Sequence, residues 1–240
     1  MADKKVTTIT QEHDAATRAR GFWADYSRPI IYAGSAIILI IAGWFAYKYF
    51  IKVPQEKKGN EAVYMAENIF DKMANTGFSI DSSEIVLNGG NLEGVKVTGL
   101  LSVIKNYGGT NAGNRARYMA GATYLHLKKF DKAVDYLKDF DGNGAHQIQS
   151  KAYIMLGHAY AEQNKTSEAL DNYKKAASVN EKDDVVTADA LITAASYAEV
   201  SGKSDEAIRL FKKLKEEYPN NSFVRSGDVD KNLARLGVFN

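Results

Sequence analysis

An uncharged apolar segment of 19 residues, from Pro29 to Tyr47, constrains this chain more than any other feature of its sequence. An α-helix of about 20 apolar residues crosses the hydrocarbon core of a bilayer. The segment lacks the polar stripe of a helix that packs on a soluble core, and Tyr32 and Trp44 lie near its ends, where interfacial aromatic residues are common. We predict one transmembrane helix over residues 29–51, preceded by a polar tail, residues 1–28.

The flanks of this segment favour an uncleaved anchor but leave its orientation open. A secretory signal has a shorter apolar run that ends at small residues, whereas 28 residues precede this run and the bulky sequence WFAYKYF closes it. Positive charge marks the cytoplasmic side of a membrane helix. Here it is nearly balanced between Arg18, Arg20 and Arg28 on one side and Lys48, Lys52, Lys57 and Lys58 on the other.

The overall composition excludes several classes of function. The chain has 31 basic and 29 acidic residues, a net charge of +2, which is too balanced for a protein whose main partner is nucleic acid. It has no cysteine, and this excludes disulfides, thiolate metal sites, a cysteine nucleophile and a lipidated N-terminal cysteine.

Three copies of one helical-hairpin pattern occupy residues 114–219. Each copy places small residues and bulky residues at matching offsets, and small residues let two helices approach while large ones fill the space between hairpins. The copies contain Gly121, Tyr124, Ala133 and Leu137, then Gly157, Tyr160, Ala169 and Tyr173, then Ala195, Ala198, Ala207 and Phe211. We expect the second helix of each hairpin to be N-capped by Asp131, by Thr166 or Ser167, and by Ser204.

The regions around the hairpins are less regular. Residues 52–113 combine a membrane-proximal helix, over residues 55–75, with a glycine-rich insertion. Within the insertion we predict a short β-hairpin in LNGGNLEGVKV, followed by a helix at Leu100–Tyr107. In residues 220–240 the apolar spacing predicts one helix that caps the stack, through Val224, Val229, Leu233 and Leu236. The predicted fold class is all-α.

No catalytic, cofactor or metal site is indicated. The four histidines, His13, His126, His146 and His158, lack the paired spacing of a metal motif. The sequence NGGN at residues 88–91 is not followed by the Lys-Ser/Thr of a phosphate-binding loop, and no nucleophile motif surrounds any serine. An enzyme would need its site in residues 77–113, where Asp81, Glu84 and Asn91 are the groups to test.

The hairpin pattern resembles the tetratricopeptide repeat, an α-solenoid unit of about 34 residues. In that family the first helices of successive hairpins line a concave groove that binds peptides or helices of partner proteins. The clamp that holds a partner's C-terminal carboxylate in some members is absent, because Tyr118, Ala122, Met155, Asp189 and Thr193 occupy its places. The resemblance implies a protein-binding groove formed by Arg115, Tyr118, Met119, Ala122, Leu125, Lys151, Ile154, Met155, His158, Asp189, Ile192, Ser196 and Glu199.

The whole layout is similar to the YfgM-like ancillary subunit of the bacterial Sec translocon, and IKNYGGTNAGNRARYMAGATYLHLKKFDKAVDYLKDF resembles its Bacteroidetes version. The resemblance implies a single-pass inner-membrane protein with a cytoplasmic N-terminus and periplasmic repeats. It also implies two partners, a SecYEG-type translocon and a membrane-anchored periplasmic chaperone of the prolyl-isomerase type. No catalysis, cofactor, nucleic acid or small-molecule substrate is implied. The alternative is a repeat scaffold or receptor of another envelope or organelle-membrane complex, unrelated to secretion.

Overall fold

The computed structural model describes residues 2–92 and 94–239, with side chains from residue 17 onward except that of residue 19. The chain divides into two units, Met1–Gln55 and Glu56–Asn240. The first unit holds α1 (Ala2–Tyr47), which includes Pro29, and a π-helix, Lys48–Lys52.

The predicted ends of the apolar segment, residues 29 and 51, are not helix ends. Helix α2 (Val53–Thr76) begins directly after the π-helix. Among the described residues, one helical stretch, Arg20–Thr76, is long and apolar enough to cross a membrane. The Lys48 ammonium lies 5.0 Å from the centre of the Trp44 ring, and this cation–π contact pairs a basic and an aromatic residue at the end of the apolar segment.

The second unit begins with helices interrupted by a small β-hairpin. After α2 come α3 (Ile80–Asn88), the antiparallel strands β1 (Gly90–Leu92) and β2 (Val95–Val97), and α4 (Leu100–Tyr107). The hairpin and α4 lie where the sequence predicted them. Helix α3 was not predicted. It begins where the Ser79 hydroxyl accepts from the Ser82 amide and ends at Gly89, which has a φ of +83°.

Six helices then form the three predicted hairpins, and the fold is all-α apart from β1 and β2. The hairpins pair α5 (Asn111–His126) with α6 (Phe130–Leu137), α7 (His146–Glu162) with α8 (Thr166–Ser178), and α9 (Asp184–Val200) with α10 (Ser204–Glu217). The second unit contains two hydrophobic cores, and the first of them also takes residues from α2, α3 and α4. Tyr153 and Tyr160 of α7 pack against both cores and so join them.

Close approach inside each hairpin explains the small residues of the pattern. A Cβ atom at Gly121 would lie 2.4 Å from Leu137 Cγ, and one at Gly157 would lie 2.4 Å from Tyr173 Cε1. No side chain fits at such distances, so both positions require glycine. In the third hairpin Ala195 is fully buried in the same core as Phe211.

The predicted N-caps of α6, α8 and α10 are wrong. Lys129, Lys165 and Lys203 occupy the N-cap positions, and none of them caps its helix with a side-chain hydrogen bond. Each lies in the same tight turn, in which its amide donates to a carbonyl five residues back and the preceding residue has a positive φ. The proposed caps Asp131, Thr166, Ser167 and Ser204 lie inside the helices, because this backbone turn sets the helix start.

The C-terminal end of the stack is covered by two short helices, where the sequence predicted one. These are α11 (Ser222–Arg225) and α12 (Asp228–Arg235), separated at Gly227, which has a φ of +78°. Val229 and Leu233 are buried in the second core, and Val224 and Leu236 pack against it. The four apolar residues of the predicted cap therefore do face the stack.

Candidate functional site

The first helices of the three hairpins lie side by side, and α2 extends this row beyond α5. Arg115 of α5 donates from Nε and an Nη atom to the Glu67 carboxylate of α2, at 3.0 and 3.3 Å, and to Asn60 Oδ1 at 3.2 Å. Gly59 brings α2 against the start of α5, since a Cβ there would lie 3.0 Å from Thr110 Oγ1. Helix α2 thus lies beside α5, at the edge of the face on which the groove was predicted.

A cleft of about 350 Å³, here called the α2–α5 cleft, opens between α2, α5 and the loop of residues 141–145. Its floor is apolar and includes Phe70 of α2, Tyr118 and Met119 of α5, and Phe140, which follows α6. The rings of Tyr118 and Phe140 have centroids 5.3 Å apart. Polar and charged side chains line the rest of the cleft, among them Glu67, Asp71, Asn111, Asn114, Arg115, Asp141 and Asn143.

The loop that forms one side of the cleft is fixed by hydrogen bonds. The Asn114 side chain donates to the Asp141 carbonyl and accepts from the Asp141 amide at 3.1 Å. The Gly142 amide donates to Gln149 Oε1 at 2.6 Å, and the Asn143 amide donates to Asp141 Oδ1 at 2.9 Å. Because its first two residues, Asp141 and Gly142, are bonded to side chains of α5 and α7, the loop has a defined conformation beside the cleft.

The charges that line the cleft are not balanced. Glu67 and Arg115 neutralise each other, whereas no ion pair involves Asp71 or Asp141 anywhere in the described part of the chain. Both of these side chains are exposed. Partial burial raises the pKa of the Tyr118 phenol, which therefore stays neutral. The cleft therefore combines an apolar floor with two carboxylates, those of Asp71 and Asp141, that form no ion pair with any described residue.

The middle of the predicted groove is exposed or half-buried. Lys151 and His158 of α7 are exposed, and Ile154 and Met155 are half-buried, Ile154 against the second core and Met155 against the first. His158 lines a second, open cleft together with Leu125. Its Nδ1 lies 2.8 Å from the Tyr173 hydroxyl. Although the residue as a whole is exposed, its ring lies edge-on to the Tyr173 ring, 5.4 Å away between centroids. This partial burial lowers the pKa of His158, and the nearby Glu162 carboxylate opposes that shift.

In α9, three of the four predicted groove residues are accessible. Asp189 and Ser196 are exposed, and Ile192 is half-buried against the second core. Glu199 is instead held by the C-terminal end of the stack, because Arg235 of α12 donates to both of its carboxylate oxygens, at 2.5 and 2.7 Å. A partner that contacts Glu199 would have to compete with this ion pair.

Two further predicted residues do not present a groove surface. Ala122 is 4% exposed and belongs to the first core, so it is not available to a partner. Met119 is also 4% exposed and contributes only to the floor of the α2–α5 cleft. The structure brings together Arg115, Tyr118 and Met119 in one cleft and Leu125 and His158 in the other.

Sequence reasoning missed the residues that α2, the segment after α6 and the first turn of α7 add to the cleft: Phe70, Asp71, Phe140, Asp141 and Ile148. A signal was present in the sequence DFDGNGAHQI, which is longer than the repeat requires and carries an aromatic residue between two aspartates. No group of three or more histidine, aspartate or glutamate side chains that could hold a metal ion occurs among the described residues, a range that leaves out the side chain of His13.

Comparison with known families agrees with the hairpin geometry. Two family models of the tetratricopeptide repeat match the chain, one at residues 115–140 and one at residues 154–222. No curated protein matches the sequence. The first match covers most of α5 and all of α6, and the second covers the latter half of α7 and continues through α10. Residues 115–140 and 154–222 are thus tetratricopeptide repeats, and domains of this kind mediate binding to protein partners.

Proposed function

We propose that this protein is a non-enzymatic, membrane-anchored adaptor whose repeat stack binds partner proteins. The observation that carries the proposal is the α2–α5 cleft, an apolar recess with charged sides on the row of first helices, in a chain that also has a helix long and apolar enough to span a bilayer. Repeat solenoids bind partners on such faces without chemistry of their own.

The proposed organisation follows the sequence. Residues 1–28 form a cytoplasmic segment, residues 29–51 the membrane anchor, residues 52–113 the membrane-proximal helix and insertion, residues 114–219 the repeats, and residues 220–240 the cap. The anchor lies in a bacterial inner membrane and the repeats lie in the periplasm. The similarity of this layout to the ancillary subunit of the Sec translocon supports this orientation.

The proposed partners are a SecYEG-type translocon and a periplasmic, membrane-anchored chaperone of the prolyl-isomerase type. In this arrangement the anchor contacts the channel and the repeats hold the chaperone close to emerging polypeptides. The balanced charge around the apolar segment supports one other candidate, a repeat scaffold of a different envelope or organelle-membrane complex, since charge alone does not fix the orientation.

Site-specific photo-crosslinking in cells tests the partners. A photoreactive phenylalanine at Tyr118 or Ile154 probes the row of first helices, and the same residue at Lys175, exposed on α8, serves as the control. We expect a periplasmic chaperone to be captured at the first two positions and not at the third, and translocon subunits to be captured when the same residue replaces Ile38 of the apolar segment, which is exposed. Capture of an unrelated envelope complex or of cytosolic proteins would replace the translocon assignment with the second candidate.

The absence of cysteine makes orientation simple to measure. Thr7→Cys and Asp205→Cys each introduce a single thiol, on opposite sides of the apolar segment. In intact cells with a permeabilised outer membrane, a membrane-impermeant maleimide should label the second variant and not the first. The reverse pattern contradicts a periplasmic repeat stack.

A further inference from the structure

The α2–α5 cleft is made by two departures from the repeat pattern. One side comes from α2, which lies outside both matched repeat segments, and another from the loop of residues 141–145, which falls between them. The hairpins themselves supply Ile148 of α7 and, on α5, Tyr118, Met119 and their neighbours. Because α2 and this loop are not parts of the common repeat, the recess can recognise a ligand that the repeat scaffold alone would not bind.

The size of the cleft suits one bulky side chain. A volume of about 350 Å³ is at the small end of the range for ligand pockets. Its apolar floor of Phe70, Tyr118 and Phe140 favours an aromatic or branched aliphatic group. A single side chain of an extended segment can enter such a recess while its backbone lies across the opening.

The charges that line the cleft determine what should flank that side chain. Glu67, Asp71 and Asp141 carry three negative charges and Arg115 carries one positive charge, which leaves a net charge of −2. Because Arg115 is bonded to Glu67, the uncompensated carboxylates are those of Asp71 and Asp141. An acidic segment would be repelled, and a basic one attracted.

We infer that the α2–α5 cleft binds an extended polypeptide segment in which a bulky apolar residue stands next to lysine or arginine. The apolar side chain packs on Tyr118 and Phe140, and the cation pairs with Asp71 or Asp141. This inference rests on the proposed function, because it assigns a partner chemistry to the protein-binding face.

Fluorescence anisotropy with short labelled peptides tests the inference on the full-length protein in detergent. The probe is GSGFKKGSG, and its two controls are GSGSKKGSG, which lacks the apolar group, and GSGFEEGSG, which reverses the charge. We expect the probe to bind about tenfold more tightly than either control, and its affinity to fall as salt is raised.

Paired variants separate local recognition from general electrostatics. Asp71→Lys with Asp141→Lys should weaken binding of the probe about tenfold, whereas Asp135→Lys with Asp171→Lys makes the same change in net charge outside the cleft and should leave it unchanged. Asp71→Asn with Asp141→Asn is a second test, since an amide at position 141 still accepts from the Asn143 amide and so keeps the loop bond. We expect an intermediate loss.

Two outcomes overturn the inference. One is equal binding of GSGFKKGSG and GSGFEEGSG, or an unchanged affinity in both cleft variants. The other is concentration-dependent self-association that Asp71→Lys with Asp141→Lys abolishes, which would make a second copy of this chain the occupant. The crosslinks at Ile154 lie outside the cleft. They therefore test the proposed function separately.

Discussion

The two ends of the repeat stack differ in how completely their apolar surface is covered. At the C-terminal end, α11 and α12 close the stack and bury Val229 and Leu233 in the second core. At the N-terminal end, α2 packs beside α5, yet an apolar recess stays open between α2, α5 and the loop of residues 141–145. Both ends must cover apolar surface that a regular repeat would cover with its next copy. An apolar recess thus stays open beside α2, whereas the apolar residues of the C-terminal cap are packed into the second core.

The middle hairpin joins these ends, and its disruption should have the largest effect. Gly157→Leu places a side chain where a Cβ alone would lie 2.4 Å from the Tyr173 ring. We expect a loss of about 3 kcal/mol or more in the free energy of unfolding, because α7 and α8 must move apart. Chemical denaturation followed by circular dichroism measures it. Gly109→Leu is the matched control, since a Cβ there would meet no atom within 4 Å; an equal loss there would contradict the close-packing argument.

The contrast between the ends can be tested with one truncation at each. Leu233→Ala removes a side chain that is 3% exposed and should cost about 2–4 kcal/mol, because it leaves a cavity under the cap. Ile148→Ala removes a cleft residue that is 37% exposed and should cost less than about 1 kcal/mol. Thermal or urea unfolding of both variants gives the comparison. Similar losses would mean that the cleft is a structural seam and not an open site.

Two helix starts, one near each end, should differ in their dependence on side chains. The Thr110 hydroxyl donates to the Tyr107 carbonyl at 2.7 Å and accepts from the Gly113 amide at 3.1 Å, so Thr110→Val should cost about 1–2 kcal/mol. Ser204→Ala at the start of α10 should stay within about 0.5 kcal/mol, because the backbone turn at Lys203 starts that helix. A larger loss for Ser204→Ala than for Thr110→Val would refute this explanation of the turns.

The smallest effect should be a weak dependence of stability on pH. Burial lowers the pKa of His158, so the unfolded chain binds a proton more readily than the folded chain. Stability is therefore complete above the ordinary histidine pKa of about 6.5 and falls as the pH drops from there through the folded value. His158→Gln should flatten the dependence measured by thermal unfolding between pH 7 and pH 5, and an unchanged slope would argue against this assignment.

His126 needs its own variant in that experiment. Burial also lowers its pKa, and its ring stacks on Phe78 at 3.8 Å between centroids. The variant His126→Gln measures how much His126 contributes to the dependence of stability on pH. Because both histidines line the same open cleft, the double variant measures whether the two contributions are additive.

The hairpins were predictable because their signal is local and repeated. Gly121 and Gly157 recur at one offset from Leu137 and Tyr173, and the structure shows the contact that requires this spacing. The β-hairpin and α4 were predictable from glycine placement and apolar runs. Helix α3 was missed because the many glycines around it obscured the signals at its ends, Ser79 before it and Gly89 after it.

The cleft was not predictable from the sequence, because its parts come from distant positions. Phe70 and Asp71 lie far along the chain from Tyr118 and Asp141, and no periodic pattern links them. The incorrect N-caps have a different origin. Asp131 and Ser204 are suitable capping residues, but a turn with its own backbone hydrogen bonds had already placed each helix start one residue or two earlier. Local propensity was outweighed by the geometry of the repeat.

The loop of residues 141–145 is a natural graft site. Its first two residues, Asp141 and Gly142, are tied by Asn114 and Gln149, both of which belong to helices, while Asn143 and Gly144 have positive φ. A library that varies only residues 143–145 would change one side of the recess without altering any residue of either hydrophobic core. In the binding mode that we propose, ligand specificity is therefore modular, and new binding preferences can be selected without redesigning the solenoid that displays them.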